Sequence, residues 1–306
     1  MRLVRTVVFL SSFVLGACGS TTDEGGNDVE PELTESDAVE PPVAAETFAE
    51  VNGTRLFYES QGEGPPLVLI SGANLDSRLW DDQFGDFADR FRVVRYDPRG
   101  IGRSDLPQEP FSHYEDLYAL LGILGIESTH VLGFSFGAGV ALDFTIAHPE
   151  MVESVILVAP GLSSWKDELA PVLEELSQLA AEEGASKAVE MLLADPSMPR
   201  AEQVEARQRM SGILDDSPEL FASGFAYLQL MEPLDPPAEE RLEEMEAPTL
   251  LVVGERDHPG IHENVDALQE GIAGARKVLI MGVGHVVSLE NPEELRRVVL
   301  DFLGTD

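Results

Sequence analysis

His130-Val131-Leu132-Gly133-Phe134-Ser135-Phe136-Gly137-Ala138-Gly139 decides the reading of this chain, because an apolar run ends in it at a serine and a helix-like run begins. A strand that turns into a helix within one residue holds Ser135 in a strained backbone conformation and lifts its hydroxyl clear of the neighbouring chain. Chain segments crowd on both sides of such a turn, so residues without a Cβ are needed there, and Gly133 and Gly137 supply them. A chain of this composition shows Gly-x-Ser-x-Gly by chance roughly one time in six. The surroundings must therefore decide whether Ser135 is a nucleophile.

The runs Pro66–Ser71, Phe91–Tyr96, Thr129–Phe134, Val155–Ala159, Thr249–Val253 and Lys277–Met281 are mostly continuous and apolar. Strands buried on both faces of a parallel sheet have this pattern. Thr47–Asn52 and Thr54–Ser60, separated by Gly53, read as a hairpin with an Asn-Gly turn. Helical stretches Ser77–Arg90, Ser112–Leu124, Phe136–His148, His262–Gly271 and Pro292–Leu303 alternate with the runs. The pattern predicts an α/β fold: a mostly parallel eight-stranded sheet flanked by helices, with right-handed crossovers. The long interval between Val155–Ala159 and Thr249–Val253 is acidic, helix-rich and broken by prolines. Residues 161–245 read as a helical cap inserted over the carboxyl ends of the strands, with 47–160 and 246–306 forming the core. Within the cap, Phe221, Phe225, Tyr227 and Met231 read first as cap packing and second as pocket lining.

The 306 residues include 56 Asp and Glu against 20 Lys and Arg, a formal charge of −36. Nucleic acid is excluded as a partner, since binding it needs local positive charge. The balance fits an acidic, soluble surface and, secondarily, selection of cationic substrates. The amino terminus differs: Met1-Arg2-Leu3-Val4-Arg5 is basic and Val7–Ala17 is largely apolar, which predicts a secretory signal over residues 1–17. Leu15-Gly16-Ala17-Cys18 resembles a bacterial lipobox, so Cys18 is expected to carry lipid and tie the chain to a membrane. Gly19 after it resembles outer-membrane sorting. Residues 19–46 hold nine acids and no Lys or Arg, and 18–46 read as a disordered acidic tether. The expectation is an exported protein, lipid-anchored to the bacterial cell envelope. Cys18 is the one cysteine in the sequence, so no intrachain disulfide is predicted.

A nucleophilic serine needs a general base, and that base needs an acid to fix its tautomer. Among the histidines after Ser135, His285 alone stands in a glycine-rich loop, Gly282-Val283-Gly284-His285, between a predicted strand and a helix. It is the expected base. The acid should end an earlier strand; Asp257 in Gly254-Glu255-Arg256-Asp257 fits, with Glu255 as the competitor. Negative charge on a substrate oxygen would meet the Phe136 N–H at a helix start. A second N–H would come from Ser71-Gly72-Ala73-Asn74, with Ala73 preferred to Asn74. Arg99–Ser104 lacks the Gly-Lys-Ser/Thr end of a phosphate loop and reads as a structural turn. His258 and His262 lack a third spaced ligand, so no metal or other cofactor is expected.

These features resemble the α/β-hydrolase superfamily over residues 47–306. Phe91–Asp105 (FRVVRYDPRGIGRSD), Ala147-His148-Pro149-Glu150, Gly284-His285 and Leu289-Glu290-Asn291-Pro292 carry the resemblance. Leu79-Trp80-Asp81-Asp82-Gln83 and the Arg95–Asp105 loop are similar to the enol-lactonase and small carboxylesterase branch. The usual His-Gly pair before the oxyanion loop is Ser71-Gly72 here. The resemblance implies a serine hydrolase acting on small or medium carboxylic esters or lactones through an acyl-enzyme. Serine at position 135 argues against the dehalogenase and epoxide-hydrolase branches, which use Asp there. C–C bond hydrolysis and haloperoxidase or perhydrolase chemistry use the same triad. A ligand-binding lipoprotein without turnover is the rival from another class.

Overall fold

Eight strands pair into one sheet: β1 (Thr47–Val51), β2 (Thr54–Gln61), β3 (Pro66–Ile70), β4 (Arg92–Tyr96), β5 (Thr129–Phe134), β6 (Val152–Val158), β7 (Thr249–Gly254) and β8 (Arg276–Ile280). The computed structural model describes residues 47–162, 165–216 and 229–304. The expected signal at 1–17, Cys18, the segment 18–46, and Phe221, Phe225 and Tyr227 lie outside the described residues. The strand order is β1-β2-β4-β3-β5-β6-β7-β8. β1 and β2 join antiparallel, β2 meets β4 antiparallel, and every later pairing is parallel.

Alternation along each strand sorts its residues onto the two faces of the sheet. Leu67 and Leu69 of β3 pack with Trp80, Phe87 and Phe134 on one side. Val68 and Ile70 pack with Leu121, Leu142 and Phe144 on the other. All are buried, so the strand appears in the sequence as an unbroken apolar run. Each such side chain taken out of water contributes roughly 1.5–3 kcal/mol before the entropy of ordering is set against it.

The helices are α1 (Asp81–Ala88, preceded by a 3-10 turn at Ser77–Trp80), α2 (His113–Ile123), α3 (Phe136–Ala147), α4 (Trp165–Glu183), α5 (Ala185–Leu193), α6 (Val204–Asp215), α7 (Pro259–Gly271), α8 (Val287–Glu290) and α9 (Pro292–Phe302). α3 is buried from Phe136 to Ile146, and its all-round apolar sequence follows from that central position. α4, α5 and α6 lie in the chain between β6 and β7, within the interval read as an insertion. None of the helices among the described residues is long and apolar enough to cross a membrane.

Two boundaries differ from the sequence reading. β6 starts at Val152 rather than Val155, because Val152 pairs with Thr129 across a register shift and the exposed Glu153 breaks the apolar run. α7 starts at Pro259 rather than His262, since proline is preorganised for a first helical turn. The sheet has its switch point between β3 and β5: the chain leaves β3 for β4 on one side and returns to β5 on the other. Open α/β sheets bind ligands beyond the carboxyl ends of strands at such a point.

Candidate active site

Ser135 is the hinge between β5 and α3, and its backbone takes φ 51° and ψ −115°. For a residue with a Cβ this region costs on the order of 1–3 kcal/mol, sustained only where neighbours fix it. Here Ser135 N–H donates to the Val158 carbonyl at 2.8 Å, and the Ser135 carbonyl accepts from Ala138 and Gly161, each at 3.0 Å. The two motif glycines are steric requirements. A Cβ on Gly133 would run into the Gly137 carbonyl, and one on Gly137 would lie 2.5 Å from the Ile70 carbonyl oxygen.

His285 follows β8 in the loop that leads to α8, and its N–H donates to the Ser197 carbonyl at 2.7 Å. Its Nε2 lies 3.0 Å from Ser135 Oγ, while Nδ1 lies 2.9 and 3.2 Å from the two carboxylate oxygens of Asp257. The Asp257 side chain is fully buried and that of His285 is 14% exposed. A carboxylate only accepts, so Nδ1 of the neutral ring carries the proton and Nε2 presents its lone pair to the serine hydroxyl. Asp257 Oδ1 also accepts from His258 N–H at 2.7 Å, which fixes the carboxylate. Glu255, the competing acid, is exposed and accepts instead from Gly282 N–H at 2.8 Å. Burial lowers the proton affinity of His285, but the charge and hydrogen bond of Asp257, with the charges of Glu290 and Asp195, outweigh it. The net result is an imidazole pKa above the ordinary histidine value.

Sequence reasoning missed the group that holds the histidine loop. Glu290, quoted only for family likeness, has a fully buried side chain that brackets His285 through its neighbours. One oxygen accepts from Gly284 N–H at 2.9 Å and the other from Val286 N–H at 3.2 Å. Arg256 pairs with it at 2.8 Å and reaches the Pro196 carbonyl at 3.1 Å, tying the segment after α5 to the histidine loop. The spacing His285-x4-Glu290 just before a capped helix was the available signal.

A cavity of about 430 Å³ opens onto Ser135 and His285. Ala73 and Phe136 line it from the strand ends, and Leu176 and Met210 from α4 and α6. Ala73 N–H has no acceptor among the described residues, and Phe136 is the first residue of α3, where the helix dipole favours negative charge. Asn74, the second choice for the oxyanion loop, is buried in a left-handed conformation (φ 65°). Gly72 packs against this centre: a Cβ there would come within 3.3 Å of Ser135 Cβ.

The remaining sequence candidates fall into structural places. Arg99 in the Arg99–Ser104 turn pairs with buried Asp116 through bonds of 2.8 and 2.7 Å. Met231 bridges to Phe111 and packs against the clusters on both sheet faces, and it is not among the residues lining the cavity. His258 caps α7, accepting from Gly260 N–H at 3.1 Å, and also lines the cavity. His113 gave no sequence signal. It is buried between Phe111 and Phe136, 4.8 and 5.0 Å between ring centres, and its Nε2 has no partner among the described residues. Burial, aided by the Arg99 charge, pushes its pKa down to about 3.

The family model for the alpha/beta hydrolase fold matches residues 65–292, and the chain belongs to that family. Its curated relatives include the 2-hydroxy-6-oxo-6-phenylhexa-2,4-dienoate hydrolase of Comamonas testosteroni, 27% identical over 81% of this chain and 91% of that one. The uncharacterized carboxylesterase nap of Bacillus subtilis is 25% identical over 83% and 84% of the two chains. An uncharacterized Mycobacterium tuberculosis protein is 35% identical, but over only 40% of this chain and 36% of its own length. The chain thus spans about a third of that relative. Among solved structures, the enol-lactonase of Burkholderia xenovorans is similar at a TM-score of 0.72, with 25% identity, 84% of this chain and all of the other covered.

Proposed function

We propose that this protein is a serine hydrolase that cleaves carboxylic esters or lactones through an acyl-enzyme. The observation that carries the reading is the continuous relay from Ser135 Oγ to His285 Nε2 (3.0 Å) and from Nδ1 to Asp257 (2.9 Å), at the floor of a cavity. Ser135 attacks the carbonyl carbon while His285 takes the hydroxyl proton. The oxyanion accepts hydrogen bonds from the backbone N–H groups of Phe136 and Ala73. Protonated His285 then gives its proton to the leaving alcohol oxygen, and in a lactone that oxygen stays on the acyl chain. Water, deprotonated by the same imidazole, attacks the acyl-enzyme and frees the acid. Asp257 holds the ring in register and stabilises its cation throughout. The Ser135→Ala variant is expected to lose at least about a thousandfold in kcat on a nitrophenyl ester; turnover within tenfold of the unchanged protein refutes the assignment.

A second reading has its own support: the Comamonas relative is named as a hydrolase of a phenylhexadienoate, a carbon–carbon bond substrate. The same residues serve that reaction with carbon as the leaving atom. Loss of absorbance from a vinylogous 1,5-diketone on mixing, with no ester turnover, would favour it.

The working place is outside the cytoplasm, with the chain held to the envelope by lipid at Cys18. The support is the basic and apolar start followed by Leu15-Gly16-Ala17-Cys18 and the acidic 18–46 segment.

A further inference from the structure

The wall of the cavity is mostly apolar, and among the described residues its fixed charge has a single sign. Asp195, two residues past the end of α5, is the only lining side chain among the described residues with a fixed formal charge, and among those residues no Lys or Arg lines the cavity. Its Oδ1 accepts from Ser197 N–H at 2.8 Å and from Ser197 Oγ–H at 2.5 Å, which locks the carboxylate in a tight turn. Its Oδ2 meets no donor among the described residues. The arginines of the neighbourhood are engaged elsewhere. Arg207 donates to the Leu193 and Pro199 carbonyls at 2.8 and 2.7 Å, and Arg256 pairs with Glu290 at 2.8 Å.

The same turn touches the reacting centre, because the Ser197 carbonyl accepts the His285 N–H at 2.7 Å. Asp195 is thus fixed relative to the serine, and its charge is felt at the imidazole. Asp195 is itself exposed at the edge of the cavity, so water screens the pair and the attraction is modest, while the apolar wall beside it adds contact for the rest of the ligand. Leu176, Leu214 and the ring of Phe136 offer apolar surface to the methyl groups of an alkylammonium. The formal charge of −36 raises the concentration of cations around the molecule.

Building on the ester or lactone hydrolase reading, we propose that Asp195 forms a subsite for a cationic group. The preferred substrates are esters that carry an ammonium a few bonds from the scissile carbonyl, and esters that carry a carboxylate at that place are selected against.

Two isosteric pairs test this on both sides of the ester. Nitrophenyl 4-trimethylammoniobutyrate and nitrophenyl 5,5-dimethylhexanoate differ in charge on the acyl side. Acetylcholine and 3,3-dimethylbutyl acetate differ on the alcohol side. The kcat/KM ratio of charged to neutral ester is expected to be about fivefold in at least one pair, equivalent to about 1 kcal/mol. Asp195→Asn, which keeps an acceptor for Ser197, should bring that ratio to within about twofold of unity. Each ratio compares two substrates on one protein, so effects of the substitution on His285 or on folding cancel. A ratio near one for both pairs in the unchanged protein overturns the subsite, as does a preference that survives Asp195→Asn. Failure to turn over even the neutral esters refutes the hydrolase reading itself, and the subsite with it.

Discussion

Replacing Glu290 by Gln should separate holding the base from merely filling space. The carboxylate is fully buried and takes three hydrogen bonds: Gly284 N–H at 2.9 Å, Val286 N–H at 3.2 Å and Arg256 at 2.8 Å. Gln has the same shape but one acceptor oxygen, so at least one of these donors loses its partner, at a cost of roughly 1–3 kcal/mol. Ala at this position leaves all three donors without the carboxylate, one of them the Arg256 guanidinium, which loses its ion-pair partner, and should cost about 3–5 kcal/mol. The effect on catalysis comes from the loop. With its flanks released, His285 departs from its 3.0 Å contact with Ser135, and a displacement of about 1 Å can cost a hundredfold in kcat. Glu290→Gln should lower kcat tenfold to a hundredfold and change KM by less than about threefold. The Glu290 charge also helps raise the His285 pKa. Without it the imidazole loses its proton at lower pH, so the acid limb of kcat/KM should move to lower pH. The assay is a pH–rate profile on a nitrophenyl ester, with thermal unfolding as the folding control. A folded variant with an unmoved acid limb and an unchanged kcat would refute the argument.

Other perturbations have definite expected outcomes. His113 binds a proton below about 6.5 when unfolded but only near 3 when folded. Its contribution to stability is therefore complete above the unfolded value and lost as pH falls through that window, by about 1.4 kcal/mol per pH unit. Urea unfolding at pH 7 and pH 5 should show His113→Leu losing about 2 kcal/mol less stability than the unchanged protein; equal losses would contradict the burial argument. Gly133→Ala brings a methyl against the Gly137 carbonyl and should cost about 1–3 kcal/mol in chemical denaturation while sharply reducing ester turnover; an unaffected variant would remove the steric reason for the glycine. Cys18→Ser should release the protein from the membrane fraction of cells that express the full chain, and unchanged sedimentation would argue against lipid at Cys18.

Much of this architecture was legible from one chain because buried parallel strands leave a simple trace. β3, β5 and β7 are covered on both faces, so their runs are unbroken and their ends fall near the turns. β6 was read late because Glu153 reaches solvent near its amino end. Ser135, Asp257 and His285 could be read because each lies just past the carboxyl end of a strand, where local glycine and loop patterns reveal it. The groups that support them lack that advantage. Arg256 reaches Pro196 across 60 positions and Asp195 lines the cavity from the stretch between β6 and β7, contacts that exist only once the chain has folded back. His113 stands at a helix start, where a polar residue normally faces water, and only the tertiary packing of Phe111 and Phe136 reveals it as buried.

The proposed acyl-enzyme places the acyl group on Ser135 during turnover. Acid-quenching the protein milliseconds after mixing with a nitrophenyl ester, followed by intact and peptide mass spectrometry, tests it directly. An adduct of the acyl mass is expected on the peptide containing Ser135, accumulating with His285 intact and absent in Ser135→Ala. An adduct on any other residue, or full turnover in Ser135→Ala, would contradict it.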